Sequence, residues 1–161
     1  MPPGDRVTVS VTVDADPATA FVIFTEETDL WWRRGPKYRI AGRNPGTIQF
    51  EPRLGGCLTE SFADQVFTTG TITAWDPPHT LQFEWRGVNF APGEATRVEV
   101  RFEAVPTGTR VTIHHTGWAG LPTGHPVRHG RPVPVFIREM GMWWADLMTS
   151  FREKLDGKNH P

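Results

Sequence analysis

The chain has 161 residues and a mass of 18.1 kDa, which suits one domain with a substantial core and leaves little room for two. Hydrophobic residues make up 38% and charged residues 22%, a balance that excludes a disordered chain. With 17 basic and 18 acidic side chains the formal charge is -1, which argues against a protein devoted to gripping phosphate backbones.

Seven Trp and ten Phe stand against one Tyr, so a deep aromatic interior or pocket is expected. The single cysteine, Cys57, allows no internal disulfide, and the opening MPPGDR has no apolar core of the signal-peptide type. No stretch approaches the length of a membrane span. A single domain over 1–161, ordered from about 6 to 156 and cytoplasmic, is the expectation.

Val7, Val9, Val11 and Val13 alternate with Thr8, Ser10 and Thr12, the pattern of a half-buried strand. Asp16-Pro17 then reads as an N-cap followed by proline at the first helical position, opening a short helix over Ala18–Phe24. A second helical turn is expected within Glu26–Trp32. Residues 33–46 are irregular, basic and glycine-containing.

Ile48 and Phe50 lie on the next short strand, Leu54-Gly55-Gly56 makes a turn, and Cys57–Phe62 forms the strand after it. Val66–Trp75 is a longer strand that Asp76-Pro77-Pro78 terminates, because proline cannot donate to a ladder. Thr80–Trp85 places Leu81, Phe83 and Trp85 on one face. Val98, Val100, Phe102 and Ala104 alternate with Arg97, Glu99, Arg101 and Glu103, and Pro106-Thr107-Gly108 turns the chain into Arg110–Thr116.

Gly117–Pro132 reads as a long loop, the kind that covers a site. Pro134–Leu155 is helical, with Ile137, Met140, Trp144, Leu147, Met148, Phe151 and Leu155 along one stripe. These pieces predict an α+β fold. A curved antiparallel sheet of six or seven strands wraps a long C-terminal helix, with short helices after the first strand.

That arrangement resembles the helix-grip fold of the START/Bet v 1-like (SRPBCC) superfamily. Asp16-Pro17-Ala18 with Phe21, Trp31-Trp32, Leu54-Gly55-Gly56-Cys57, Gly70-Thr71-Ile72 through Trp75, Pro77-Pro78, Leu81–Phe83 and His115-Thr116-Gly117 occur in order. In that order they are similar to the family named after the C-terminal domain of the activator of Hsp90 ATPase. Gly141-Met142-Trp143-Trp144 departs from the family's Gly-Trp pair by one inserted residue. The resemblance spans about Val7–Leu155. It implies either a carrier of small hydrophobic ligands or a stress-related module with a chaperone partner, and polyketide cyclases are among the superfamily's members.

Several residues carry two readings. His115 shares a face with Val111 and Ile113, so it is a satisfied core histidine, a pocket acid–base group or a metal ligand. Glu60 is either solvated or, sharing a face with Phe62, directed into the interior. The tryptophans and Met140 and Met148 serve packing or line a pocket.

The main functional expectation is a small hydrophobic or amphipathic ligand held between sheet and helix. Its lining would be Trp32, Phe62, Phe83, Trp85, His115, Trp118, Met140, Trp144 and Met148, with Gly117–Pro132 as a lid. A chaperone-contacting module is the second reading, and a cyclase or hydrolase using His115 with Glu60 is the third.

His125 and His129 lack the companions of a zinc site, although with Arg128 and Arg131 they form a small positive patch. Arg33, Arg34, Lys37 and Arg39 are the one basic run and lack the stacking array of a nucleic-acid groove. No cofactor or metal is expected, and no phosphate or dinucleotide motif occurs. A homodimer through a sheet edge or the loop stays open.

Overall fold

The computed structural model describes residues 6–86, 90–91, 93–118 and 133–158, with the side chains of the last helix described over 135–156. In chain order the elements are β1 (Val7–Val13), α1 (Pro17–Glu26), α2 (Thr28–Trp31), β2 (Gly46–Phe50) and β3 (Cys57–Phe62). They continue with β4 (Gln65–Asp76), β5 (Thr80–Trp85), β6 (Thr96–Val105), β7 (Gly108–Thr116) and α3 (Val133–Lys158). The strands form one antiparallel sheet in the order β1-β7-β6-β5-β4-β3-β2. Strands β2 to β7 are thus a meander, and β1 adds to its far side by pairing with β7.

Alternation decides which face each strand buries. Val98, Val100 and Phe102 are buried, while Arg97, Arg101 and Glu103 are exposed. In β7, Val111, Ile113 and His115 share the buried face, in register with Phe102, Val100 and Val98. The sheet bends because its ladder is interrupted twice, between Leu58 and Thr59 and between Ile72 and Ala74. Gly70 lies in the same region, and a Cβ there would overlap the Glu84 carbonyl oxygen. Only glycine permits that approach.

The curved sheet closes on α3, whose Trp144, Leu147, Met148, Phe151 and Leu155 are all buried in the core. The opening helix is capped as expected, Asp16 Oδ1 accepting the Thr19 amide at 2.8 Å with Pro17 following. Phe21 and Phe24 from α1 then meet Phe102 at ring separations of 5.1 and 5.7 Å. No helix among the described residues is long and apolar enough to cross a membrane.

Cys57, at the start of β3, is half-buried. At the β2 edge, Asp29 Oδ1 takes the Ile48 amide at 3.0 Å, and Arg34 Nη1 donates to the Gly46 carbonyl at 3.3 Å. Side chains that occupy an edge strand's free groups weaken it as a template for pairing.

Candidate functional site

Strand parity and the α3 stripe bring five of the expected residues together: Trp32, Trp85, His115, Trp118 and Trp144. Trp32 and Trp85 stack at 6.2 Å, and each meets Trp144 edge-on, at 6.1 and 6.5 Å. The His115 ring lies 4.3 Å from that of Trp118 and 6.0 Å from those of Trp85 and Trp144. His115, Trp118 and Trp144 are fully enclosed, while Trp85 is half-buried.

The hydrogen bonds at His115 assign its tautomer. An indole N–H can only donate, so Trp144 Nε1 donates to His115 Nδ1 at 3.0 Å and Nδ1 carries no proton. Nε2 therefore holds the proton and donates to Thr96 Oγ1 at 2.7 Å. The Thr96 hydroxyl passes its own proton toward the Trp85 carbonyl at 3.4 Å. Complete burial pushes the imidazole's pKa down to about 3, because the charged form would lose its water. His115 is a neutral core histidine joining α3 to β7, β6 and β5.

Glu60 is buried at 2% exposure, not solvated. Its Oε1 accepts the Ile40 amide at 3.0 Å and its Oε2 the Ala41 amide at 2.7 Å. The expected pairing of His115 with Glu60 is not formed. Strands β7 and β3 are separated by β6, β5 and β4, and each side chain is bonded to its own neighbours. The acid–base mechanism built on that pair has no geometric basis. Among the described residues no group of three or more His, Cys, Asp or Glu could hold a metal ion.

The other expected lining residues are dispersed. Phe62 is half-buried and stacks on Phe67 at 5.5 Å. Phe83 is enclosed beside Phe50 at 5.2 Å, and Met148 is enclosed in the core. Met140 is half-buried at the core's margin. The expected lid falls mostly on residues 119–132, which, with His125, Arg128, His129 and Arg131, lie outside the described residues. A surface cavity of about 320 Å³ does occur elsewhere, lined by Pro17, His79, Thr80, Arg101, Phe102 and Glu103 among others.

Sequence reasoning missed how residues 33–46 are held. Arg39, one of the basic run, is buried at 4%. Its guanidinium reaches Asp29 Oδ1 at 2.6 Å, the carbonyls of Asp29 and Trp32 at 3.0 and 2.6 Å, and the Arg33 carbonyl at 3.1 Å. Although burial alone would raise it, Asp29's pKa is held below the usual carboxylate value by the Ile48 amide and the Arg39 and Arg34 guanidiniums.

The same segment is latched to α3. The Tyr38 hydroxyl donates to Asp146 Oδ2 at 2.6 Å, and Trp143 Nε1 donates to the Lys37 carbonyl at 2.8 Å. Trp32 Nε1 donates to the Tyr38 carbonyl at 3.0 Å. Pairing of a short basic run with carboxylates on α2 and α3 has no local sequence signature; only the fold brings Asp29 and Asp146 to it.

Many solved structures share this architecture, three of them as follows. The Aha1 dimer from Colwellia psychrerythraea is 16% identical with a TM-score of 0.65, covering 93% of this chain and 95% of that one. An Hsp90 activator from Plasmodium falciparum is 17% identical with a TM-score of 0.65, covering 95% and 96%. A protein from Mesorhizobium loti is 19% identical with a TM-score of 0.65, covering 94% and 96%. At such identities the likeness establishes the fold alone. Comparison with curated proteins gives no match. The family model for activator of Hsp90 ATPase homolog 1-like proteins, however, matches residues 14–133, from the end of β1 to the start of α3. The chain therefore belongs to the activator of Hsp90 ATPase homolog 1-like family, and its fold is the helix grip.

Proposed function

We propose that this chain is a protein-interaction module whose partner is an Hsp90-class chaperone, and that it recognises that partner through its exterior. One observation carries the reading. Both ring nitrogens of His115 and both carboxylate oxygens of Glu60 are bonded within the fold, so these interior groups are structural. Family membership and the two Hsp90-related structures of the same fold add support.

Binding of the full chain to a purified bacterial Hsp90 tests this, by interferometry with and without ATP, alongside the chaperone's ATP hydrolysis rate. Saturable binding on the order of micromolar is expected, as for a transient interface. Absence of binding in both nucleotide states overturns the reading. Stimulation of hydrolysis is a separate property and is not required.

A second reading, a small hydrophobic or amphipathic ligand between sheet and α3, is favoured by Trp85, Trp143 and Met140. All three are half-buried against the hydrophobic core, with Trp85 and Trp143 in edge contact at 5.7 Å. Apolar surface at the edge of a core is where such a ligand would seat. Native mass spectrometry of gently purified protein tests it, through a bound mass that the Trp85→Ala variant loses.

A further inference from the structure

We infer that residues 33–46 form a rigid, positively charged strap that docks an acidic segment of a partner protein, one carrying Leu or Ile side chains among its carboxylates. The inference rests on the interaction-module reading and names its surface.

The strap contains five basic residues and no acidic one, in a chain whose total charge is -1. The rest of the chain is therefore acidic overall, and this segment is a local reversal of sign. Arg39 is consumed internally, anchoring the strap to α2. Arg33, Arg34, Lys37 and Arg43 remain exposed. Arg34 meets Asp29 at 3.3 Å, and Lys37 meets Asp146 at 3.6 Å with both side chains well exposed. Surface pairs of that kind are weak and exchange readily with an incoming carboxylate.

A loop rich in glycine and proline would ordinarily lose conformational freedom on binding and weaken the complex. Here the fold supplies part of that ordering. Glu60 holds the amides of Ile40 and Ala41, Arg39 holds three carbonyls, and Tyr38 and Trp143 tie the strap to α3. Cations fixed in position favour rapid, selective capture of opposite charge.

Apolar surface accompanies the charge. Ile40 is 39% exposed within the strap, and Leu30 on α2, next to Asp29, is 64% exposed. The aromatic rings here are already engaged: Tyr38 stacks on Trp143 at 6.1 Å, with Arg33 and Lys37 within 6 Å of its ring. Stacked nucleobases would need free ring faces, and insertion into a membrane would need a broader apolar face. An acidic, partly aliphatic peptide matches both components of this surface.

The test uses fluorescence anisotropy with the full chain. The probe is a fluorescein-labelled peptide of alternating Asp, Leu, Glu and Ile, on the order of twelve residues. A single-stranded oligonucleotide of equal charge and phosphatidylglycerol vesicles are compared with it. Peptide binding that weakens about ten-fold in the double variant Arg33→Gln, Arg43→Gln is expected. It should also weaken as salt rises from about 50 to about 300 mM. Lys37→Gln alone gives a smaller loss and stands in if the double variant melts early. The control Arg97→Gln, Arg110→Gln on the outer sheet face leaves binding unchanged.

Failure of the peptide to bind, equal loss in the control, or tighter binding of oligonucleotide or vesicles overturns the strap proposal. Chaperone binding that ignores the strap variants overturns the strap alone. Strap-dependent peptide binding without chaperone binding overturns the chaperone reading alone.

Discussion

Trp144 on α3 and His115 on β7, residues 29 apart in the chain, share a hydrogen bond of 3.0 Å in which the indole donates and the imidazole accepts. That direction requires an unprotonated Nδ1, and burial, which lowers the imidazole's pKa to about 3, maintains it. In the unfolded chain the same group titrates at its ordinary value of 6.5.

Stability should therefore depend on pH in a defined window. Between about 6.5 and about 3 the unfolded chain binds a proton at this residue and the folded chain does not, so acid favours unfolding. The stabilisation is complete above pH 6.5 and declines by on the order of 1 kcal/mol per pH unit below it. Urea midpoints measured from about pH 7.5 to about pH 4.5 should show the decline, and His115→Gln should reduce it, leaving the part due to His114, which burial also lowers from 6.5. Asp29 and Asp146, both lowered from 3.8, contribute only at more acidic pH, which separates the two effects.

Truncating the partner on α3 should separate packing from hydrogen bonding. Trp144→Phe keeps much of the ring but leaves His115 Nδ1 without its donor, at roughly 1–3 kcal/mol. Trp144→Ala adds a cavity in the closed core and should cost roughly 3–5 kcal/mol. Denaturant unfolding of the two variants checks the ordering.

At the strap, Arg39→Ala leaves Asp29 facing Ile48 without its buried counter-charge. The loss is expected to be roughly 3–5 kcal/mol, toward the lower end because Asp29 retains contact with water. Hydrogen exchange should quicken at the Ile40, Ala41 and Ile48 amides before it changes in β6 and β7. Uniform acceleration across the sheet would count against a local anchor.

Two contacts to Asp146 should differ in worth. Lys37→Ala removes an exposed pair and should change stability by less than about 1 kcal/mol. Tyr38→Phe removes a hydroxyl donating to a carboxylate and should cost roughly 1–2 kcal/mol. Thermal melts of both variants, read beside Glu60→Gln, would rank the strap's fastenings.

What the chain order of residues determined by itself was local. Alternating valines imposed β1, Asp16-Pro17 opened α1, and the α3 stripe required a sheet to cover it, so the grip of sheet on helix was legible. Parity also placed His115 inward. Burial is a property of the assembled fold, however, and parity cannot tell a free imidazole from one bonded at both nitrogens. Trp144 and Thr96 reach His115 from other elements, and Glu60 turned from a solvated or catalytic candidate into an acceptor for two amides some twenty residues earlier. The basic run likewise became a strap only because Asp29 and Asp146 meet it in space. Hydrogen bonds between distant segments depend on angstrom-scale placement, which tertiary packing alone supplies.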